Sequence, residues 1–114
     1  MLSAADIVRL DAQAVRASVG VVALAGPAEL GWPTPCGDWT LAGLLAHMTA
    51  QHNGFAAAAA GHGADLVRWQ TGAPAADPVP EYAAAAMRAH LSMVSRSMEK
   101  ALAEIEAKEA AAKR

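Results

Sequence analysis

The sequence predicts an all-α fold, an up-down-up bundle of three helices. Three observations carry this. Alanine, the strongest helix former, is the commonest residue. Aromatics make up only 4% of the chain and valine and isoleucine are sparse, so little favours a sheet. Apolar residues also recur at three- and four-residue steps along three long stretches. At 114 residues the chain is the size of one domain. Such a chain buries roughly 65% of its unfolded surface, enough for a thin core. With 54% hydrophobic and 18% charged residues it is too apolar to be disordered.

The first helix opens at Ser3, where Ser3 and Asp6 have the spacing of a capping box. Ile7, Leu10, Ala14, Ala17, Val21 and Leu24 form its apolar face, with Asp11, Gln13 and Arg16 off it. Gly26-Pro27 is the expected stop. Gly26 to Asp38 is rich in proline and glycine yet carries Trp32 and Cys36, with Trp39 just beyond, so the loop is expected to pack against the bundle. Thr40 is the expected N-cap of the second helix, about Leu41 to Ala60. Its stripe is Leu41, Leu45, Met48, His52, Phe55 and Ala59, and Gly61-His62-Gly63 stops it. A second loop follows, with a helical turn around Leu66 to Trp69.

Proline in the first turn suits a third helix from about Pro78 to Ala112. Tyr82, Met87, Leu91, Val94, Met98, Ala101 and Ile105 follow a near-heptad spacing that predicts bundle or coiled-coil packing. This helix is roughly 50 Å long against roughly 30 Å for the second, so its excess is solvated or paired with another chain. Every lysine lies at Lys100 or later. Glu104 to Lys108 and Glu109 to Lys113 are i,i+4 pairs in the favourable order. The ending resembles Glu-Ala-Ala-Ala-Lys spacers and reads as an engineered extension or as a solvated natural helix end. The chain thus divides into a helical domain, 1–98, and a Glu/Lys/Ala-rich extension, 99–114.

Charge and composition narrow the function. The net charge is −2 with no basic stripe, which excludes nucleic acid as a partner. No apolar run is long enough to cross a membrane. Asp6 and Arg9 interrupt any export signal, and the single cysteine, Cys36, precludes an internal disulfide, so the expected location is the reducing cytoplasm. No nucleophile–base pair, phosphate loop or paired catalytic carboxylate stands out.

The four histidines are His47, His52, His62 and His90. His47 and His52 lie about 140° apart around a helix, so one face cannot present both. His52 sits in the apolar stripe, first of all as a hydrogen-bonded core histidine. His90 follows Met87 on the third helix, on its flank or facing the second, where it pairs with His52. His62 reads as a solvated loop residue. Cys36 reads as a small buried apolar residue rather than a reactive thiol. Trp32, Trp39 and Trp69 read as packing anchors, and Met87, Met93 and Met98 as core. An apolar ligand pocket under the Trp32–Trp39 loop is a further, lesser possibility.

The stretch Trp32-Pro33-Thr34-Pro35-Cys36-Gly37-Asp38-Trp39-Thr40-Leu41, followed by Leu44-Leu45-Ala46-His47-Met48, resembles the N-terminal metal-binding domain of mycothiol-dependent maleylpyruvate isomerases, within the DinB-like helical superfamily. The resemblance spans residues 3 to about 95. It implies a four-helix bundle holding zinc or nickel, with His47 as the ligand from the second helix and further ligands from a fourth. It implies mycothiol as the thiol cofactor. No fourth helix is read here, so of those ligands only His47 carries over, and isomerase activity by this chain alone is not expected. The candidate metal ligands are therefore His47, His52 and His90. A bundle lacking one helix leaves an apolar seam open, which predicts a homodimer or higher homo-oligomer with the heptad-like helix as the contact. Two functions follow: a divalent-metal-binding domain related to these isomerases and thiol transferases, or a truncated or engineered helical scaffold that self-associates without catalytic activity.

Overall fold

The structure, a computed structural model, describes residues 1–114. It is all-helical: α1 (Ala4–Val22), α2 (Leu41–Ala59), a single 3₁₀ turn (Leu66–Trp69) and α3 (Pro78–Ala112). No helix is long and apolar enough to cross a membrane. The first half of α3 is the centre of the bundle. Both α1 and α2 pack on it, while their own backbones stay apart.

Local chemistry sets the helix starts. The Ser3 hydroxyl accepts from the Asp6 amide at 3.1 Å, and the Asp6 carboxylate accepts from the Ser3 amide at 3.0 Å, closing the capping box. Hydrogen bonds from the Ser3 amide, the Ser3 hydroxyl and Arg9 hold the Asp6 carboxyl below its ordinary range. At α2 the first free amides are all satisfied. Leu41 donates to the Trp32 carbonyl and Ala42 to the Leu30 carbonyl, each at 2.9 Å, and Gly43 donates to the Thr40 hydroxyl at 3.2 Å. The Pro/Gly-rich loop is thereby bolted to the start of α2, as its apolar content predicts. α3 begins at Pro78 with Asp77 as N-cap.

The stops differ in part. α1 ends at Val22, four residues before Gly26, and Gly26 is not in the left-handed region. Val22 instead runs into successive turns, with Leu24 donating to Val21 and Ala25 to Val22. Gly61, at φ +91°, does terminate α2 as glycine permits.

The faces differ more. On α1 the expected stripe of Ile7, Leu10, Ala14, Ala17, Val21 and Leu24 is exposed. Val8, Ala12, Val15, Val19 and Val22 turn inward instead, with Asp11 and Ser18 among them. On α3 the heptad positions Met87, Leu91, Met98, Ala101 and Ile105 are exposed and Val94 is half-buried; Tyr82 alone of that stripe is buried, beside Pro78, Ala85 and Ala86. Met93 alone of the three methionines is half-buried. The physical reason is shape. Ala85 and Ala86, each wholly buried, let neighbouring helices come close, and the larger aliphatics of the heptad positions would hold them off. The core is Val15, Leu45, Tyr82 and Ala86, bordered by Val19, Val22, Leu30, Leu41, Met48 and Val79.

The second loop is held by Trp69. Its indole N–H donates to the Gly63 carbonyl at 2.9 Å, its ring meets Phe55 edge-on at 5.1 Å, and its face lies on Gly54. A Cβ at Gly54 would overlap the indole. The last turns of α3 are exposed throughout. The pairs Glu104–Lys108 and Glu109–Lys113 do not close; the ion pairs lie at Arg9–Asp6, Arg68–Asp65, Arg88–Glu81 and His90–Asp11.

Two of the helical glycines are expected to respond oppositely to alanine. Gly20→Ala, where nothing lies within 4 Å, stabilises by about 0.4–1 kcal/mol. Gly54→Ala destabilises by about 1–3 kcal/mol, because the indole must move. Denaturant titrations of the two variants check both signs.

Candidate functional site

A chain of polar contacts crosses the core. The Ser18 hydroxyl donates to the Val15 carbonyl at 3.1 Å. The Tyr82 hydroxyl donates to Ser18 Oγ at 3.0 Å, and His52 Nε2 lies 3.2 Å from the Tyr82 oxygen. Direction follows from the end of the chain. A carbonyl only accepts, so Ser18 spends its proton there and Tyr82 spends its own on Ser18. His52 must then donate through Nε2–H, which fixes its neutral tautomer and leaves the Nδ1 lone pair free. Burial lowers the His52 pKa from its ordinary 6.5, partly opposed by the Asp11 charge.

Asp11 reaches the same region from α1. Its carboxylate lies 2.6 Å from His90 Nδ1, so that ring donates through Nδ1–H. His90 is 14% exposed and Asp11 37% in their side chains. His52, His90 and Asp11 together border a cavity of about 420 Å³ whose other walls are Val15, Phe55, Ala59, Ala86, Ala89 and Met93. A second hollow, of about 400 Å³, contains no histidine, and its Arg68 and Glu81 are already paired with Asp65 and Arg88.

His47 stands elsewhere. It is half-buried, with its ring 4.6 Å from that of Trp39 and Nδ1 3.2 Å from the Thr71 hydroxyl. The structure thus brings His52 and His90 to one cavity and places His47 on the loop side of α2. No three histidine, cysteine, aspartate or glutamate side chains converge closely enough to hold a metal ion. His62 is exposed, as expected.

Other expectations are corrected. Cys36 is exposed rather than buried, because the turn around Gly37, at φ +65°, carries it outward. Of the tryptophans, Trp69 anchors a loop, Trp39 covers His47, and Trp32 is 60% exposed. The principal cavities are not lined by Trp32 or Trp39. His90 is no mere flank residue; it contacts Asp11 of α1 directly. Asp11, Ser18 and Tyr82 were not legible as polar partners. Asp11 shares the helical phase of Val8 and Val15, and an acidic residue in phase with valines was the available signal.

An all-helical domain with an oriented histidine on its second helix defines the class. The family model of the mycothiol maleylpyruvate isomerase N-terminal domain matches residues 12–114, and the chain belongs to that family. The match takes in the Glu/Lys/Ala-rich end. No curated protein and no solved structure matches the chain significantly.

His52 is expected to titrate below 6.5 in the folded chain, read from its ring resonances in NMR. Since the unfolded histidine keeps its ordinary value, this contribution to stability is complete above pH 6.5 and lost as pH falls below it. Tyr82→Phe strips the relay of its middle member and is expected to destabilise by about 1–3 kcal/mol.

Proposed function

We propose that this chain is a divalent-metal-binding helical domain related to the mycothiol-dependent isomerases and thiol transferases, without isomerase activity by itself. The observation that supports it is the setting of His47. The ring is held between Trp39 and the Thr71 hydroxyl. With Thr71 accepting from Nδ1–H, Nε2 keeps its lone pair, and an imidazole oriented through its other nitrogen is how metal-binding histidines are prepared. One imidazole does not make a zinc centre, which takes three or four donors, and none of the other histidines or carboxylates joins it. The residues present therefore fit a partial centre, and no catalytic step is assigned to it.

The test is a zinc or nickel titration followed at the His47 ring. Its Nε2 resonance is expected to move, and His47→Ala is expected to lower the number of ions bound per chain while leaving the helical content intact. An unmoved ring would overturn the reading.

A second reading, a helical scaffold that self-associates without catalysis, is favoured by the uncovered apolar faces. Ile7 and Val21 on α1, Leu24 just beyond its end, and Leu91, Met98, Leu102 and Ile105 on α3 are each at least half exposed. The occupant we infer is a second copy of the chain. α3, at 35 residues or about 52 Å, outruns the 19-residue α2 by about 24 Å, and from Met98 onward every residue of that overhang is exposed. Sedimentation equilibrium is expected to show a dimer or larger species that Leu102→Glu with Ile105→Glu returns to monomer. A monomer across the accessible concentration range would refute it.

A further inference from the structure

We propose that His52 and His90 form a two-nitrogen site for a borderline divalent cation, zinc or nickel, in the cavity between the three helices, with Asp11 as its orienting carboxylate. The site shares no ligand with His47 and stands or falls independently of that reading.

The argument is one of proton accounting. Each ring has one nitrogen committed to a protein partner. His52 gives its Nε2 proton to Tyr82, whose own proton is used on Ser18, whose proton in turn ends on the Val15 carbonyl. His90 gives its Nδ1 proton to the Asp11 carboxylate. With those protons committed, Nδ1 of His52 and Nε2 of His90 are the nitrogens left without a protein partner. Both rings border the same cavity, and no other imidazole does.

Lone pairs select what binds. Imidazoles whose N–H groups are already spent on protein partners offer a carboxylate or phosphate no donor, and take an electron-pair acceptor at the second nitrogen. The nearest charge is the negative Asp11, which favours a cation. Imidazole nitrogen suits zinc and nickel among the divalent ions, whereas magnesium and calcium take oxygen. The Asp11–His90 contact has the carboxylate–histidine form that orients metal-ligating imidazoles and raises their basicity. The Ser18–Tyr82 relay does the same for His52 with neutral groups. The remaining walls, Val15, Phe55, Ala59, Ala86, Ala89 and Met93, carry no charge to compete for the ion. Two protein nitrogens leave the remaining coordination positions to water or to a small exogenous ligand.

The test uses the full chain carrying His47→Ala and His62→Ala, so that His52 and His90 are its only imidazoles. Zinc alone is titrated in by calorimetry. One ion per chain is expected, with the ring resonances of both histidines moving. Adding Asp11→Asn, which keeps the side chain's shape, is expected to weaken binding about 10–100-fold, and His90→Gln by at least about tenfold. Circular dichroism checks that each variant is folded, and Asp11, being partly exposed, tolerates the change where His52 substitutions threaten the core. No uptake by the doubly substituted chain would overturn the proposal. So would uptake that survives both Asp11→Asn and His90→Gln. Uptake lost in the double background but present in the parent chain would leave the His47 reading standing and remove this one.

Discussion

The molecule turns on a single buried phenol. Tyr82 is 1% exposed, and its hydroxyl lies where water cannot serve it. A buried hydroxyl without partners costs about 1–3 kcal/mol, so the fold must bring polar groups to it. It draws one from each of the other helices, His52 from α2 and Ser18 from α1. That requirement sets how α1 and α2 are rotated about α3. It explains why α1 turns inward a face bearing Asp11 and Ser18 rather than its larger aliphatics. Once Ser18 is placed, Asp11, two turns earlier on the same face, arrives beside His90.

Small residues make this possible. Ala85 and Ala86 give α3 a low surface on which the other helices lie close, and Gly54 gives α2 a flat spot that an indole covers. Each close approach excludes a bulky side chain, so the large aliphatics of α1 and α3 are displaced outward. The exposed apolar stripe of α3 and its tight alanine contact are thus two sides of one arrangement.

How much was legible follows from range. Helix starts rest on contacts within a few residues, and Ser3, Thr40 and the proline at the head of α3 announced them. The turn at Leu66 to Trp69 and the extent of α3 were also readable. The direction each helix faces was not. α1 carries two apolar stripes, and periodicity favours the one with larger side chains. The contacts that choose the other, Tyr82 to Ser18 and His90 to Asp11, join residues 64 and 79 apart in the chain. No local pattern contains them. The same limit applied to the site. His52 in a stripe and His90 on a helix were visible, but the phenol and the carboxylate that hydrogen-bond them belonged to other helices.

The separation of the α1 and α2 backbones leaves room between them. α1 closes on α3 along its backbone, and its Val15 shares the core with Leu45 of α2 through side chains alone. One hydroxyl link and one carboxylate link add to that attachment. The hollow that holds the two imidazoles is thus roofed by the first helix of the chain, with Asp11 and Val15 as its inner surface.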